Sequence, residues 1–94
     1  MEGRAELMIM NNDISENKDG IVLLRSDGLV QTNQILRNEG CGILIVDDSR
    51  PTLDNNLISK NKCGVDIDDP SAPELKNNKV EENQFQVKTT RKRW

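Results

Sequence analysis

Pro51-Thr52-Leu53-Asp54-Asn55-Asn56-Leu57-Ile58-Ser59-Lys60-Asn61-Lys62-Cys63-Gly64-Val65-Asp66-Ile67 is the stretch that decides the fold, because its pattern recurs on both sides of it. Anchored on Asn56, one column of asparagines reads Asn12, Asn33, Asn56 and Asn78, with spacings of 21, 23 and 22 residues. Five residues further on stand Asn17, Asn38, Asn61 and Asn83, at the same spacings. A third column is Asn11, Thr32, Asn55 and Asn77. Together the three columns hold every asparagine in the chain. A repeat of this length is the first thing to settle in a sequence, since it dictates the architecture.

The apolar residues keep the same phase. One column is Ile9, Val30, Leu53 and Leu75; the next is Ile14, Ile35, Ile58 and Val80. A third is Ile21, Ile43, Val65 and Val87, and a fourth is Leu23, Ile45 and Ile67, ending in Thr89. Gly20, Gly42 and Gly64 precede the third column, with Gln86 in the last copy. Cys41 and Cys63 share a column with Asp19 and Phe85, and Pro51 and Pro73 share another.

Within each unit, Gly20-Ile21-Val22-Leu23, Gly42-Ile43-Leu44-Ile45 and Gly64-Val65-Asp66-Ile67 place aliphatic residues two apart, which is strand periodicity. No window shows sustained helical spacing. Leucine-rich repeats have similar lengths but want a Leu-x-x-Leu-x-Leu run and a helical return. Very short strands broken by Asn and Gly suit a coil that winds into a β-solenoid. In such a coil each rung stacks on the next at about 4.8 Å, so equivalent positions lie above one another. Aliphatic columns then fill the interior, which has little room for aromatics. Asparagine tolerates left-handed backbone angles at turns, and stacked amides can hydrogen-bond along the stack. Glycine is expected to supply turn geometry that other residues resist.

These residues resemble the parallel β-helix repeats of the pectin-lyase-like superfamily, also called the carbohydrate-binding and sugar-hydrolase type. The copy from Pro51 to Ile67 carries the resemblance best. Within that class it is most similar to the repeats of intracellular F-box substrate receptors of the F-box only 10 and 11 kind, and related repeats occur in SHC SH2-binding proteins. The resemblance implies an all-β, right-handed parallel β-helix of about four rungs of about 22 residues. It spans roughly residues 6 to 89. The family's F-box has no counterpart in the sequence, so the resemblance implies a substrate-facing part alone. The expected organisation is a disordered N-terminus over 1–5, rungs over approximately 6–25, 26–48, 49–70 and 71–89, and a basic tail over 90–94.

Composition narrows function. The formal net charge is −3, which gives no global signal for nucleic acid. No stretch approaches the roughly 18 apolar residues of a membrane span. The charged segment Met1 to Leu7 does not read as a secretory signal. Two cysteines are too few for a disulfide framework. An intracellular, cytoplasmic location is the expectation.

Enzymes with repeats of the kind this chain resembles hold their chemistry in acidic residues, which makes an acidic corner the candidate site. Asp47, Asp48, Asp68 and Asp69, with Asp66 nearby, could cluster oxygens for Ca²⁺ or pair carboxylates for glycoside hydrolysis. The plain alternative, polar residues on a solvated turn, is preferred. The chain has no histidine, and Arg25 and Arg50 read as ordinary turn residues. No cofactor or resident metal is expected. Cys41 and Cys63 should stack, but two ligands do not make a zinc site. A disulfide between in-register neighbours is geometrically awkward.

Lys88-Thr89-Thr90-Arg91-Lys92-Arg93-Trp94 concentrates positive charge, and Trp94 could cover the last rung. The asparagine columns are read as structural ladders rather than ligand-binding amides. The functional expectation is a non-catalytic protein-interaction or scaffold module, with the substrate-recognition part of a ubiquitin-ligase adaptor as the finer reading implied by the resemblance. The alternative is a carbohydrate-binding or polysaccharide-lyase-like remnant acting on acidic glycans. Open rung ends invite end-to-end self-association.

Overall fold

The alternation Ile21-Val22-Leu23-Leu24 becomes a strand whose first and third residues are buried and whose second and fourth are exposed. The same pattern, repeated, gives twelve short parallel strands among the described residues of the computed structural model. The structure describes residues 8–25, 27–46, 49–68, 71 and 73–90. The strands are β1 (Met8–Met10), β2 (Asp13–Ser15), β3 (Ile21–Leu24), β4 (Leu29–Gln31), β5 (Gln34–Leu36), β6 (Cys41–Val46), β7 (Thr52–Asp54), β8 (Leu57–Ser59), β9 (Cys63–Asp68), β10 (Glu74–Lys76), β11 (Lys79–Glu81) and β12 (Phe85–Thr90).

They form three sheets of four strands each: β1-β4-β7-β10, β2-β5-β8-β11 and β3-β6-β9-β12. Every third strand therefore returns to the same sheet one layer on. Four rungs are stacked, separated by three turns of the coil. The register follows the columns. Ile9 pairs with Val30, Val30 with Leu53, and Leu53 with Leu75. Ile14, Ile35, Ile58 and Val80 align in the second sheet. Ile21, Ile43, Val65 and Val87 align in the third, as do Leu23, Ile45, Ile67 and Thr89.

The core lies between the three sheets. In the middle rungs Val30, Ile35, Ile43, Ile45, Leu53, Ile58 and Val65 are fully buried. Ile9, Ile14, Ile67 and Val80 pack against them from the outer rungs. One methyl lost from such a column leaves a gap that neighbours, fixed by the sheet hydrogen bonds, cannot fill.

The turns divide the work differently from the sequence expectation. Left-handed backbone angles occur at Asn11, Thr32, Asn55 and Asn77, between the first and second sheets. The other two asparagine columns have none. Instead Glu16, Arg37, Lys60 and Glu82 take positive φ just ahead of the second ladder, with φ between 54° and 61°. All four are exposed, and nothing in the structure explains the preference for charged residues there.

The glycine expectation is corrected. Gly20, Gly42 and Gly64 do not adopt positive φ. They are required for space. A Cβ on Gly42 would stand 2.8 Å from the Gly64 carbonyl oxygen, 2.9 Å from Ile58 Cγ2 and 3.0 Å from Asn61 Nδ2. Gly20 and Gly64 meet the same three kinds of neighbour one rung on. The glycine lets the third strand start tight against the next rung's backbone and the asparagine ladder.

Candidate functional site

Two polar ladders run through the stack. In the first, Asn33 N–H and Nδ2 both donate to Asn56 Oδ1 at 3.0 Å, and Asn56 repeats this to Asn78 Oδ1. Asn12 makes the same pair of bonds to Asn33 Oδ1. In the second, Asn38 N–H and Nδ2 donate to Asn61 Oδ1, and Asn61 does so to Asn83 Oδ1. Asn17 N–H donates to Asn38 Oδ1.

Five of the amides also reach back. Asn33, Asn56 and Asn78 donate to the carbonyls of Ile9, Val30 and Leu53. Asn61 and Asn83 donate to those of Ile35 and Ile58. An asparagine suits this place because it carries both a donor and an acceptor, and both are used. Asn33, Asn38, Asn56, Asn61 and Asn83 are buried, so their amides are not offered to a ligand. Buried amides left unpaired would be costly, and here each is bonded.

A corner between the third and first sheets was not legible beforehand. Ser49 is fully buried, and its hydroxyl lies 2.7 Å from the Val46 carbonyl, to which it donates, and 3.2 Å from that of Leu23. Its N–H donates to Ser71 Oγ at 2.9 Å. The signal available was the spacing Ser49 to Ser71, which matches that of Pro51 to Pro73.

The cysteines sit in register at the start of β6 and β9. Both thiols are free. Burial pushes Cys41 up to about 12, helped by Cys63 and then by the carboxylates of Asp66 and Asp19. Cys63 is also raised, again chiefly by burial. Cys41 Sγ lies 3.9 Å from Asp66 Oδ2, and its backbone N–H donates to Asp19 Oδ1 at 2.9 Å. A thiol held neutral is a poor nucleophile.

Of the acidic corner, Asp68 ends β9 and is half-buried, while Asp47, Asp48 and Asp69 lie outside the described residues. Among the described residues no group of three or more His, Cys, Asp and Glu could hold a metal ion. Arg91 to Trp94, including the expected Trp94 cover, and residues 1–7 also lie outside them. No helix is long and apolar enough to cross a membrane among the described residues.

The outer face of the third sheet is the unusual surface. Val22 and Leu24 point away from the core and are 48% and 59% exposed. Leu44 lies beside Val22 and Val46 beside Leu24. One rung on, the row passes from Leu44 to Asp66 and then to Lys88. Asp68, paired with Thr90, continues the acidic edge. An aliphatic strip on the first two rungs thus meets a charged strip on the last two. Phe85 is 47% exposed, and Lys88 Nζ stands 5.9 Å from its ring centroid.

Comparison with known proteins agrees with this geometry. Neither a curated protein nor a solved structure is found to match the chain. A family model described as "Right handed beta helix region" matches residues 1–92. Three parallel sheets wound by one repeat, and a match over nearly the whole chain, place this protein in the right-handed β-helix region family.

Proposed function

We propose that the chain is a non-catalytic protein-interaction module that docks a partner polypeptide on the outer face of the third sheet. One observation carries the reading. Val22 and Leu24 stand exposed on a regular sheet face beside Leu44 and Val46. A solvated sheet face normally carries polar side chains, and contiguous exposed apolar surface marks contact sites. Asp66 and Asp68 border the strip and favour a partner with apolar anchors and a basic flank. Stacked rungs offer a flat, regular platform suited to an extended segment.

The resemblance of the repeats to those of F-box substrate receptors supports a finer version, in which the partner is a target polypeptide of a ubiquitin-ligase adaptor. The carbohydrate alternative would draw support from an open aromatic platform. Phe85 is the aromatic among the described residues, and Lys88 lies over its ring.

Peptide display against the immobilised chain tests this. Enriched sequences should pair two apolar residues with Lys or Arg, and their binding should weaken as salt rises. Leu24→Glu should remove at least nine-tenths of the capture while leaving the β-type circular dichroism unchanged. Failure to enrich, or enrichment that survives Leu24→Glu, rejects the docking face.

A further inference from the structure

We propose that Gln86 is a stop residue, which closes the C-terminal end of the solenoid against stacking of a second copy of this chain. Gln86 occupies the column that holds Gly20, Gly42 and Gly64 in the earlier rungs. In those rungs a Cβ would fall 2.5, 2.8 and 2.4 Å from the carbonyl oxygen of the following rung. Real carbon atoms do not sit so close to backbone oxygen. A side chain at position 86 therefore excludes a fifth rung in the register that the first four share.

The side chain does more than obstruct. Gln86 Oε1 accepts from Asn83 N–H at 3.3 Å and from Asn83 Nδ2 at 3.0 Å. Those are the two bonds that Asn61 makes to Asn83 Oδ1, and Asn38 to Asn61 Oδ1. Gln86 Nε2 donates to the Asn83 carbonyl at 2.7 Å. In the inner rungs that bond comes from the next rung's backbone, as Gln84 N–H gives it to Asn61 and Glu39 N–H to Asn17. One glutamine amide thus supplies all three contacts that a further rung would bring to Asn83.

Burial agrees. Asn83 is 7% exposed although it lies in the last rung. Asn78, its counterpart in the other ladder, is only half-buried, and its N–H finds no acceptor among the described residues. The end needs such a device because Leu75 and Val87 are 44% and 48% exposed there. The ladders are also polar. Asn12 and Asn17 are exposed in the first described rung, and by the pattern of the ladders their Oδ1 atoms would accept from the amides of a copy stacked beneath. Without Gln86 the two ends would be complementary, and head-to-tail contacts of that kind grow into open filaments.

The experiment is sedimentation velocity on the wild-type chain, Gln86→Gly and Gln86→Ala over a tenfold concentration range, with amide hydrogen exchange on the same samples. Gln86→Gly should show a mass that climbs with concentration, to several chains per particle. Gln86→Ala keeps the obstructing Cβ, so it should hold the wild-type mass while Asn83 exchange quickens at least tenfold. A Gln86→Gly chain that folds and keeps the wild-type mass overturns the stop, as does a wild-type mass that itself climbs without limit. Should Gln86→Gly lose its β-type spectrum, the wild-type chain decides. Asn83 N–H protected well above Asn78 N–H supports the closure, and equal exchange at the two overturns it.

Discussion

Asn38 and Asn61 are joined twice: both the backbone N–H and the Nδ2 of Asn38 donate to the one Oδ1 of Asn61, each at 2.8 Å. This doubled bond is the unit from which the second ladder is built, and it lies at the buried centre of the stack. Removing it strands donors on the rung before Asn61. Asn61→Ala leaves both the Asn38 N–H and the Asn38 Nδ2 without their acceptor and takes one donor from the Ile35 carbonyl. At about 1–3 kcal/mol for each of the two buried donors left unpaired, the loss should be roughly 2–6 kcal/mol. Asn61→Asp should be at least as harmful, because its second oxygen faces the Ile35 carbonyl and Asn83 Oδ1, which are acceptors too. Urea unfolding followed by circular dichroism checks both. A change below about 1 kcal/mol for the alanine variant would mean that water replaces the amide.

Gly42→Ala probes space rather than hydrogen bonding. Its new Cβ would meet the Gly64 carbonyl at 2.8 Å and Ile58 Cγ2 at 2.9 Å, and neither is the tip of a flexible chain. The rung must separate from its neighbour, which strains a ladder on each side. The expected cost is about 1–3 kcal/mol, as for overpacking elsewhere. Alanine normally stabilises relative to glycine where φ is negative, by limiting the unfolded chain. The sign of the measured change therefore separates the two accounts: a gain on Gly42→Ala would mean the contact relaxes freely.

How much of this was legible in the sequence follows from what stacking demands. Leu53 pairs with Leu75 and Ile58 with Val80 because a solenoid repeats its register, so columns in sequence are columns in space. The ladder asparagines were equally visible for that reason. The role of Gly42 was not, since a glycine kept for space and one kept for its backbone angle look alike in sequence. The left-handed turn at Lys60 carried no residue signal, because it is filled by Glu16, Arg37, Lys60 and Glu82, none of a type that favours it. The aliphatic strip at Val22, Leu24, Leu44 and Val46 was hidden inside runs such as Ile21-Val22-Leu23-Leu24, where facing cannot be assigned from hydrophobicity alone. Gln86 read as a lapse of the repeat, and only its bonds to Asn83 give the lapse a purpose.

The cysteine column should be chemically quiet at neutral pH. Cys41 is raised from an ordinary 9.0 to about 12, so its thiolate is scarce in the folded chain. Allowing for the higher intrinsic nucleophilicity of a high-pKa thiolate, alkylation of folded Cys41 at pH 8 should be roughly 30-fold slower than in the urea-unfolded chain. The same shift sets the direction of pH dependence. The folded chain holds the Cys41 proton more tightly than the unfolded chain does. This group's contribution is therefore fully present below about 9 and is lost as pH rises towards about 12. Cys63, also raised, adds in the same direction. Cys41→Ala should reduce the alkaline loss of stability, and an unchanged alkaline limb would show that other groups govern it.

Thr32 is the exception among three asparagines. Asn11, Asn55 and Asn77 occupy the same turn at φ of 58°, 58° and 55°, and Thr32 does so at 57°. A β-branched side chain is strained at such an angle, whereas asparagine tolerates it. The turn's backbone bond does not depend on the side chain: Thr32 N–H donates to the Asp54 carbonyl at 3.0 Å, as Asn55 N–H does to Lys76 at 2.9 Å. Thr32 is exposed, so exchanging it disturbs no packing. Thr32→Asn should therefore stabilise the chain by about 0.5–1 kcal/mol, within the range that relief of a local backbone conflict commonly yields. The reverse change, Asn55→Thr, should cost a similar amount, and the pair of urea midpoints measures both. If Thr32→Asn gains nothing while Asn55→Thr still loses, the asparagines act through their side chains at this turn, and the backbone angle is not what selects them.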